Sequence, residues 1–473
     1  MIGRKKEIHL IKQLYSSKKS ELLCVAGRRR VGKTYLIRNS LKEKIDFELV
    51  GIKDASLALQ LQNFQIQLGK VFSIKTQSRT VQNWLEAFEL LSDYVESIPK
   101  KEKKIIFLDE FPWLDSPKSG FKTAFAHFWN SYASSKNILI IICGSAASYM
   151  IDKVLNDKGG LHNRVTKYIN LSPFTLEETK LFLTYKGIQL NTYQIIQLYM
   201  VFGGIPHYLN QIEKGLSAAQ NIDAQCFQPN GFLKNEFTNL YQSLFRKAER
   251  HEEIVELLSK KTKGLNRQEI AIQSSLSNGG ALTKVLQELE QSGFVASYFP
   301  FEKKTKDKIF RLTDYYTLFY FKFILPSKNP TNGYFMTLQG TQSYKTWTGY
   351  AFENICLQHS YQIKKALGIE GVYSENYSFY KNKQPQNQNA QIDLVIDRKD
   401  NTVNLCEMKF YDTTYPFTAK DAEKIQRQKN VFIEATTSKK NIFSTWITTY
   451  GIQKNQHSIG VVDNDLTMEI LFE

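Results

Sequence analysis

Three short apolar runs punctuate the first third of the chain: ELLCVAG at 21–27, KIIFLD at 104–109 and ILIIIC at 138–143. Each has strand length, polar flanks and no polar–apolar alternation. Such strands are covered on both faces, so they predict a parallel sheet flanked by helices. Residues 172–222 carry helical spacing, interrupted by FGGIP at 202–206, and read as a small helical lid. Helical patterns recur at 252–260, 266–274 and 281–292, with SNGG at 277–280 as the turn before the third. After Gly293 come FVASYFPF, a Lys-rich turn (Lys303, Lys304, Lys306, Lys308) and IFRLTD. Three helices followed by a β-hairpin is the winged-helix plan. A polar loop around 326–335 is the best linker. Beyond it, residues 347–369 read as helix and 376–411 as two or three strands, broken by the polar stretch at 381–390. No internal repeat is visible.

At 473 residues the chain has room for roughly three domains. Hydrophobic residues are 42% and charged residues 23%, which is ordinary for globular domains with several cores. No apolar stretch is long enough to span a membrane, and residues 1–15 are basic and amphipathic without a signal-peptide core. A cytoplasmic location, with no membrane partner, is expected. Cys24, Cys143, Cys226, Cys356 and Cys406 are scattered and never spaced as CxxC. They read as buried thiols in a reducing compartment, and no zinc site is suggested. The net charge is +16, which suits a nucleic-acid partner. Residues 331–473 hold 15 Lys plus Arg and 15 Asp plus Glu. The entire excess therefore lies in residues 1–330, where any grip on phosphates would be concentrated.

The first apolar run leads into Gly27-Arg28-Arg29-Arg30-Val31-Gly32-Lys33-Thr34, a match to GxxxxGK[ST] at every fixed position. The glycines let successive backbone N–H groups face phosphates. Lys33 would reach the β- and γ-phosphates, and the Thr34 hydroxyl would ligate Mg²⁺. Tyr35 follows in the first turn of a helix that starts near Lys33 and adds its N-terminal dipole. The second run ends in Asp109 and Glu110. Asp109 would hold Mg²⁺ through water, and Glu110 would orient or deprotonate the attacking water. After the third run, Ser145 is either a hydroxyl near the γ-phosphate or a simple turn residue. Arg164 is either an arginine finger or a solvated arginine. Arg28, Arg29 and Arg30 touch phosphates or face solvent or a partner.

Further along, the third helix of the winged-helix segment shows Lys284, Gln287, Glu288 and Gln291 between its apolar positions. With one cation among them, the wing lysines are the better phosphate contacts. DNA contact and internal packing are both open for this segment. The last third places Asp393 in one apolar strand, Glu407 and Lys409 in the next, and Glu353 on a preceding helix. Glu407 and Lys409 are two residues apart and so share a strand side. A hairpin would bring Asp393 alongside. Two carboxylates and a lysine would then converge, the acids holding Mg²⁺ and the lysine placing a water nucleophile. Gln428 and Lys429, on the following helix, are weaker candidates.

GRRRVGKT, FLDEFPWLD (107–115), CGSAASYM (143–150), LSPF (171–174) and GGIPHYL (203–209) together resemble the archaeal-type P-loop ATPases of the STAND class, relatives of the AAA+ proteins. IGRKKEI (2–8) is similar to the box that opens those domains, with Lys5 where an acid is common. The resemblance covers roughly residues 1–235. It implies that Gly203, Gly204 and Pro206 close from the lid onto ATP, and that Ser145 senses the γ-phosphate. Residues 335–473 resemble the C-terminal domain such ATPases carry, with the D…ExK arrangement of PD-(D/E)XK nucleases. Glu353 corresponds to their additional acid, and Ile392 stands where proline is usual. The expected architecture is multidomain α/β: a P-loop ATPase core at 1–170, a helical lid at 171–245, a winged helix at 246–328 and a restriction-endonuclease-like domain at 335–473. The expected function is ATP hydrolysis coupled to a Mg²⁺-dependent nuclease-like site acting on DNA. A STAND-type switch and an AAA-like DNA remodeller are the alternatives. The sequence leaves open a homo-oligomer or a protein partner.

Overall fold

The structure, a computed structural model, describes residues 2–42, 44–71, 80–99, 103–245, 247–299, 301, 308–328, 330–381 and 389–473. Two compact units emerge. One holds residues 1–173 with the short pieces 244–246 and 291–293, and the other holds the rest from 174 onward.

In the first unit the three apolar runs become β1 (Glu21–Ala26), β3 (Lys104–Asp109) and β4 (Ile138–Gly144), joined by β2 (Phe47–Val50) and β5 (Lys167–Asn170). The order is β2-β3-β4-β1-β5, and every pairing is parallel. The two strands that the apolar pattern does not mark as runs, β2 and β5, are the edges. An edge strand has one neighbour and needs less continuous apolar character, so FELV and KYIN carry little signal. All residues of β1 and β4 are buried. The helices Leu57–Val71, Trp84–Ser97 and Phe121–Ser131 contribute an aromatic cluster to the core. In it Trp84 meets Phe121 edge-on at 4.7 Å between centroids, and Phe111 meets Phe121 at 4.9 Å. That packing fixes the chain just after β3, where Asp109 and Glu110 stand. No helix among the described residues is long and apolar enough to cross a membrane. All five cysteines are buried and unpaired.

The second unit begins with helices Leu176–Tyr185, Thr192–Phe202, Pro206–Leu209 and Ala218–Cys226. Helices Ala248–Ser259, Arg267–Gln273 and Gly280–Gln291 follow, with β6 (Leu265–Asn266), β7 (Val295–Tyr298) and β8 (Ile309–Leu312) in a small antiparallel sheet ordered β6-β8-β7. Of the Lys-rich turn, Lys303, Lys304 and Lys306 lie outside the described residues. Lys308 sits 3.1 Å from Glu290. A second five-stranded sheet contains β9 (Ser374–Lys381), β10 (Ala390–Arg398), β11 (Thr402–Lys409), β12 (Asn441–Thr448) and β13 (Asn464–Thr467), ordered β13-β12-β11-β10-β9. β9, β10 and β11 run antiparallel to their neighbours in turn, while β11, β12 and β13 are parallel. The helix Ala419–Thr436 makes the crossover from β11 to β12. Its Val431 and Phe432 pack on Ile392, Val395 and Leu405.

Three expected domains thus share one unit, because apolar and polar contacts join them. Phe301 lies between Tyr377 and Phe432, at 5.1 and 5.2 Å, and its N–H donates to the Ser378 carbonyl. Tyr193 stacks on Phe410 at 5.0 Å. The loop around 326–335, expected as a linker, is tied in at its end: the Asp223 carboxylate accepts from the N–H groups of Gly333 and Phe335 at 3.1 and 2.8 Å. Its polar residues reflect turn geometry rather than free chain.

Candidate nucleotide and metal sites

β1 lies between β4 and β5, and β4 separates it from β3. The loop after β1, the acids after β3 and Ser145 after β4 therefore meet at one end of the sheet, the carboxyl ends of its parallel strands. Gly27 takes φ 148°, and a Cβ there would lie 2.4 Å from the Leu171 carbonyl oxygen. Gly32 takes φ 91° and caps the helix Lys33–Ser40. The loop can thus pass close to the chain after β5 and turn its N–H groups together only with glycine at 27. Gly27→Ala is expected to destabilise this unit by about 1–3 kcal/mol and to weaken nucleotide binding. Thermal melting with and without ATP checks this, and a wild-type melting point with a wild-type shift would count against it.

The buried Lys33 ammonium donates to the carbonyls of Gly27 and Arg28 at 2.9 and 3.1 Å and to Ser145 Oγ at 3.0 Å. All three of its donors are used. Ser145 Oγ donates on to Glu110 Oε1 at 2.8 Å, and the Ser145 N–H donates to Glu110 Oε2 at 3.2 Å. Thr34 Oγ1 donates to Asp109 Oδ2 at 2.6 Å. Glu110 has φ 47°, a left-handed conformation that costs on the order of 1 kcal/mol for such a residue. That turn carries its carboxylate to Ser145 rather than along the strand. Of the two readings of Ser145, the structure places it between the lysine and the acid. The fit to a triphosphate with Mg²⁺ is good: a glycine cradle, a helix N-terminus, a lysine and a hydroxyl–carboxylate pair all face one another.

Around this set, Val31 is buried, Arg28 is buried, Arg29 and Arg30 are partly exposed and Tyr35 is exposed. Arg164 is a correction. It precedes β5, which runs parallel to β1 in the register Leu23 to Lys167. It therefore sits at the amino end of the sheet, on the order of 20 Å from the loop after the six-residue β1. It is not brought to this site. Arg4 is a residue that sequence reasoning left without a role. Its guanidinium donates to the Ser172 carbonyl at 2.6 Å and to the Val31 carbonyl at 3.4 Å, bracing the loop from outside. The signal was the IGRKKEI box itself. Gly204 and Pro206 belong to the second unit. There Gly203 ends the helix Thr192–Phe202 at φ 62°, and Gly204 follows at φ 66° with its Cβ position 2.2 Å from the Phe174 carbonyl oxygen. Pro206 opens the short helix Pro206–Leu209.

The second constellation forms where β10 meets β11. Their pairing runs to Leu394 opposite Cys406, and the register of β10 with β9 shifts between Ile392 and Val395. This irregularity at Asp393 re-aims its side chain, and Asp393 Oδ2 accepts from the Met408 N–H at 3.1 Å. Glu407 is buried, and its Oε1 is held by both Lys409 and Lys424. Gln428 Nε2 donates to Glu407 Oε2 at 3.1 Å and to the Gln391 carbonyl at 2.6 Å. Burial opposes ionisation of Glu407, but the two ammoniums outweigh it and hold its carboxyl below the usual carboxylate range. Burial pushes Asp393 well above the usual carboxylate range, and the charges of Glu407 and Glu353 push the same way. Two buried carboxyls pushed in opposite directions beside a lysine mark this as a candidate functional site.

Two expectations are corrected here. The Glu353 carboxylate is taken by buried Arg311 of β8, at 2.7 Å, so it stands beside the Asp393 site but pairs elsewhere. Lys429 pairs with Asp463 at 3.3 Å, and Lys424 is the lysine that reaches Glu407. Among the described residues, no three His, Cys, Asp or Glu side chains are grouped to hold a metal by themselves.

Comparison with known proteins bears on the first site. Residues 1–212 match the model of an ATPase domain found predominantly in Archaea. An uncharacterized protein of Methanocaldococcus jannaschii is 24% identical over 432 residues, covering 90% of each chain. Solved structures with similarity include the Walker-type ATPase of Pyrococcus abyssi, with TM-score 0.48, 19% identity, and 68% of this chain and 96% of that one covered. The ORC2 protein of Aeropyrum pernix has TM-score 0.42 and 16% identity, with 72% and 95% covered. The likeness to that ATPase-domain model spans residues 1–212 of the 473.

Proposed function

We propose that this ATPase binds ATP with Mg²⁺ at the loop 27–34, and that its nucleotide state governs a metal-dependent phosphodiesterase site acting on DNA at Asp393, Glu407 and Lys409. ATP supplies the transferable phosphoryl group, and Mg²⁺ neutralises the charge that builds on it. The chain's own residues do the rest. The loop N–H groups orient the phosphates. Lys33 moves its donors from carbonyls to phosphate oxygens, and Thr34 and Asp109 hold the cation. Glu110 positions a water and takes its proton. Ser145, bonded to both Lys33 and Glu110, reports phosphate occupancy to the acid. The observation that carries this half is the unbroken hydrogen-bond chain Lys33–Ser145–Glu110 beside the Thr34–Asp109 bond. Lys33→Ala is expected to abolish nucleotide binding, because a buried position without its ammonium leaves phosphate charge uncompensated. Equilibrium binding of a fluorescent ATP checks this, and retained micromolar affinity would refute it.

For the second half, the support is the convergence of Asp393, Glu407 and Lys409 at the irregular β10–β11 pairing. This is the D…ExK arrangement on a mixed sheet with a crossover helix, as a restriction-type nuclease domain requires. Asp393 and Glu407 would hold a divalent cation, and Lys409 would place the water or the phosphate. Residues 246–328 form a winged helix in this reading, packed inward. Phe301 packs, partly buried, against the C-terminal core, and Glu288 of the third helix is bound to His251 at 2.8 Å rather than free to read bases. A second reading, a regulatory switch whose nuclease-like domain only binds, is favoured by the capture of Glu353 by Arg311. Cleavage of DNA with Mg²⁺ or Mn²⁺, with and without ATP, by wild type and the Asp393 and Lys33 variants separates the two.

A further inference from the structure

We propose that Lys424 is a phosphate-holding residue of the C-terminal site, and that with Lys420 and Arg427 it lays the sugar–phosphate backbone of a DNA strand along the helix Ala419–Thr436. The inference rests on the phosphodiesterase reading and names how that site would take its substrate. Two ammoniums, Lys409 from β11 and Lys424 from the crossover helix, converge on the same oxygen of Glu407. One would neutralise the carboxylate. A second like charge beside it adds desolvation and mutual repulsion, and the buried Gln428 amide already satisfies the other oxygen. Stability alone does not call for Lys424. Its side chain remains 33% exposed, and that of Lys409 31%, while Glu407 is 4% exposed. The two cationic heads therefore form the solvent-facing rim of a buried acid. A divalent cation on Glu407 would displace at least one ammonium from Oε1, and an adjacent phosphate oxygen is the anion that would receive it.

Helix periodicity extends the rim. Positions 420, 424 and 427 are related by i, i+4 and i+7 and lie on one face. Lys420 and Arg427 are exposed. Two acids lie near this face: Asp421 is occupied by the Thr418 cap, accepting from its N–H and hydroxyl at 2.9 and 2.7 Å, and the exposed Glu423 stands three positions after Lys420 and four before Arg427. In a domain of zero net charge, Lys420, Lys424 and Arg427 outnumber the one exposed acid between them, Glu423, and give this face a local positive excess that starts at Glu407 and follows the helix. Such a face fits a phosphate chain and reads no base edge.

The test uses the full chain, a labelled DNA oligonucleotide and Ca²⁺ in place of Mg²⁺, so that binding is read without cutting. Lys424→Ala is expected to weaken binding roughly threefold to tenfold, and to reduce the slope of log affinity against log salt by about 0.7–0.9, one phosphate contact. Lys424→Arg is expected to restore both, since it keeps the charge. Mn²⁺ binding without DNA, followed by electron paramagnetic resonance, should be unchanged or tighter in Lys424→Ala. Loss of Mn²⁺ binding would mark Lys424 as only a brace for Glu407 and overturn the inference. If wild type cuts DNA, Asp393→Ala does not, and Lys424→Ala binds with wild-type affinity and slope, the inference falls and the phosphodiesterase reading stands. If wild type binds no DNA with Ca²⁺, both fall.

Discussion

Glu110→Gln is expected to leave ATP bound while slowing its turnover by a factor of about 10² to 10⁴, the usual effect of losing a general base. The substitution is nearly isosteric. The glutamine carbonyl can still accept from the Ser145 hydroxyl or N–H, which now bond Glu110 at 2.8 and 3.2 Å. Lys33, Thr34 and Asp109 are untouched, so the phosphate cradle and the cation position persist. Only proton acceptance is removed. Glu110→Ala is a less clean change, because it also frees Ser145 and alters a residue at φ 47°. Phosphate release under single turnover, together with filter-retained nucleotide, measures both parts of the expectation. Turnover within a few-fold of wild type would transfer the base role to another group. Loss of nucleotide binding would mean that Glu110 braces the cradle itself.

The other large effect is at the C-terminal site. Asp393→Ala is expected to remove metal-dependent DNA cleavage, by about a thousandfold or more, since a metal-generated nucleophile contributes several kcal/mol. ATP hydrolysis should remain at the wild-type rate, because the P-loop and its acids belong to the first unit and Asp393 to the second. Asp393 is the sharper choice over Glu407. Glu407 is buried under two lysines and Gln428, and its removal would leave like charges facing one another, a folding defect as well as a chemical one. Asp393 accepts one backbone N–H, from Met408, so its loss is structurally milder. Cleavage of a labelled duplex and of single strands, measured beside phosphate release in the same preparations, reads both outcomes. Cutting that survives Asp393→Ala refutes the assignment of this acid. A wild type that hydrolyses ATP but cuts nothing supports the regulatory switch.

Much of the first site was legible in one dimension because its parts are nearly contiguous. Gly27 to Thr34 are joined by covalent geometry, and a helix that begins at Lys33 points its N–H groups at whatever the loop holds. Asp109 and Glu110 end an apolar strand, so their place at the sheet's carboxyl end follows from burial alone. The same holds for Glu407 and Lys409, two residues apart on one strand side. Strand order decided the rest of the first site. Ser145 matters because β4 lies between β1 and β3, and Arg164 is excluded because β5 runs parallel to β1 with its start at the far end. Helix rotation decided the neighbours of Glu407. Lys429 is about 100° round the helix from Gln428, whereas Lys424, four residues earlier, is about 40° away and faces the strand. The partner of Glu353 came from Arg311, 42 positions away in the chain. Local spacing determines which groups can act together within a loop, a strand or a helix turn. Which of those groups meet across the molecule depends on register and packing, and these are set by the whole core.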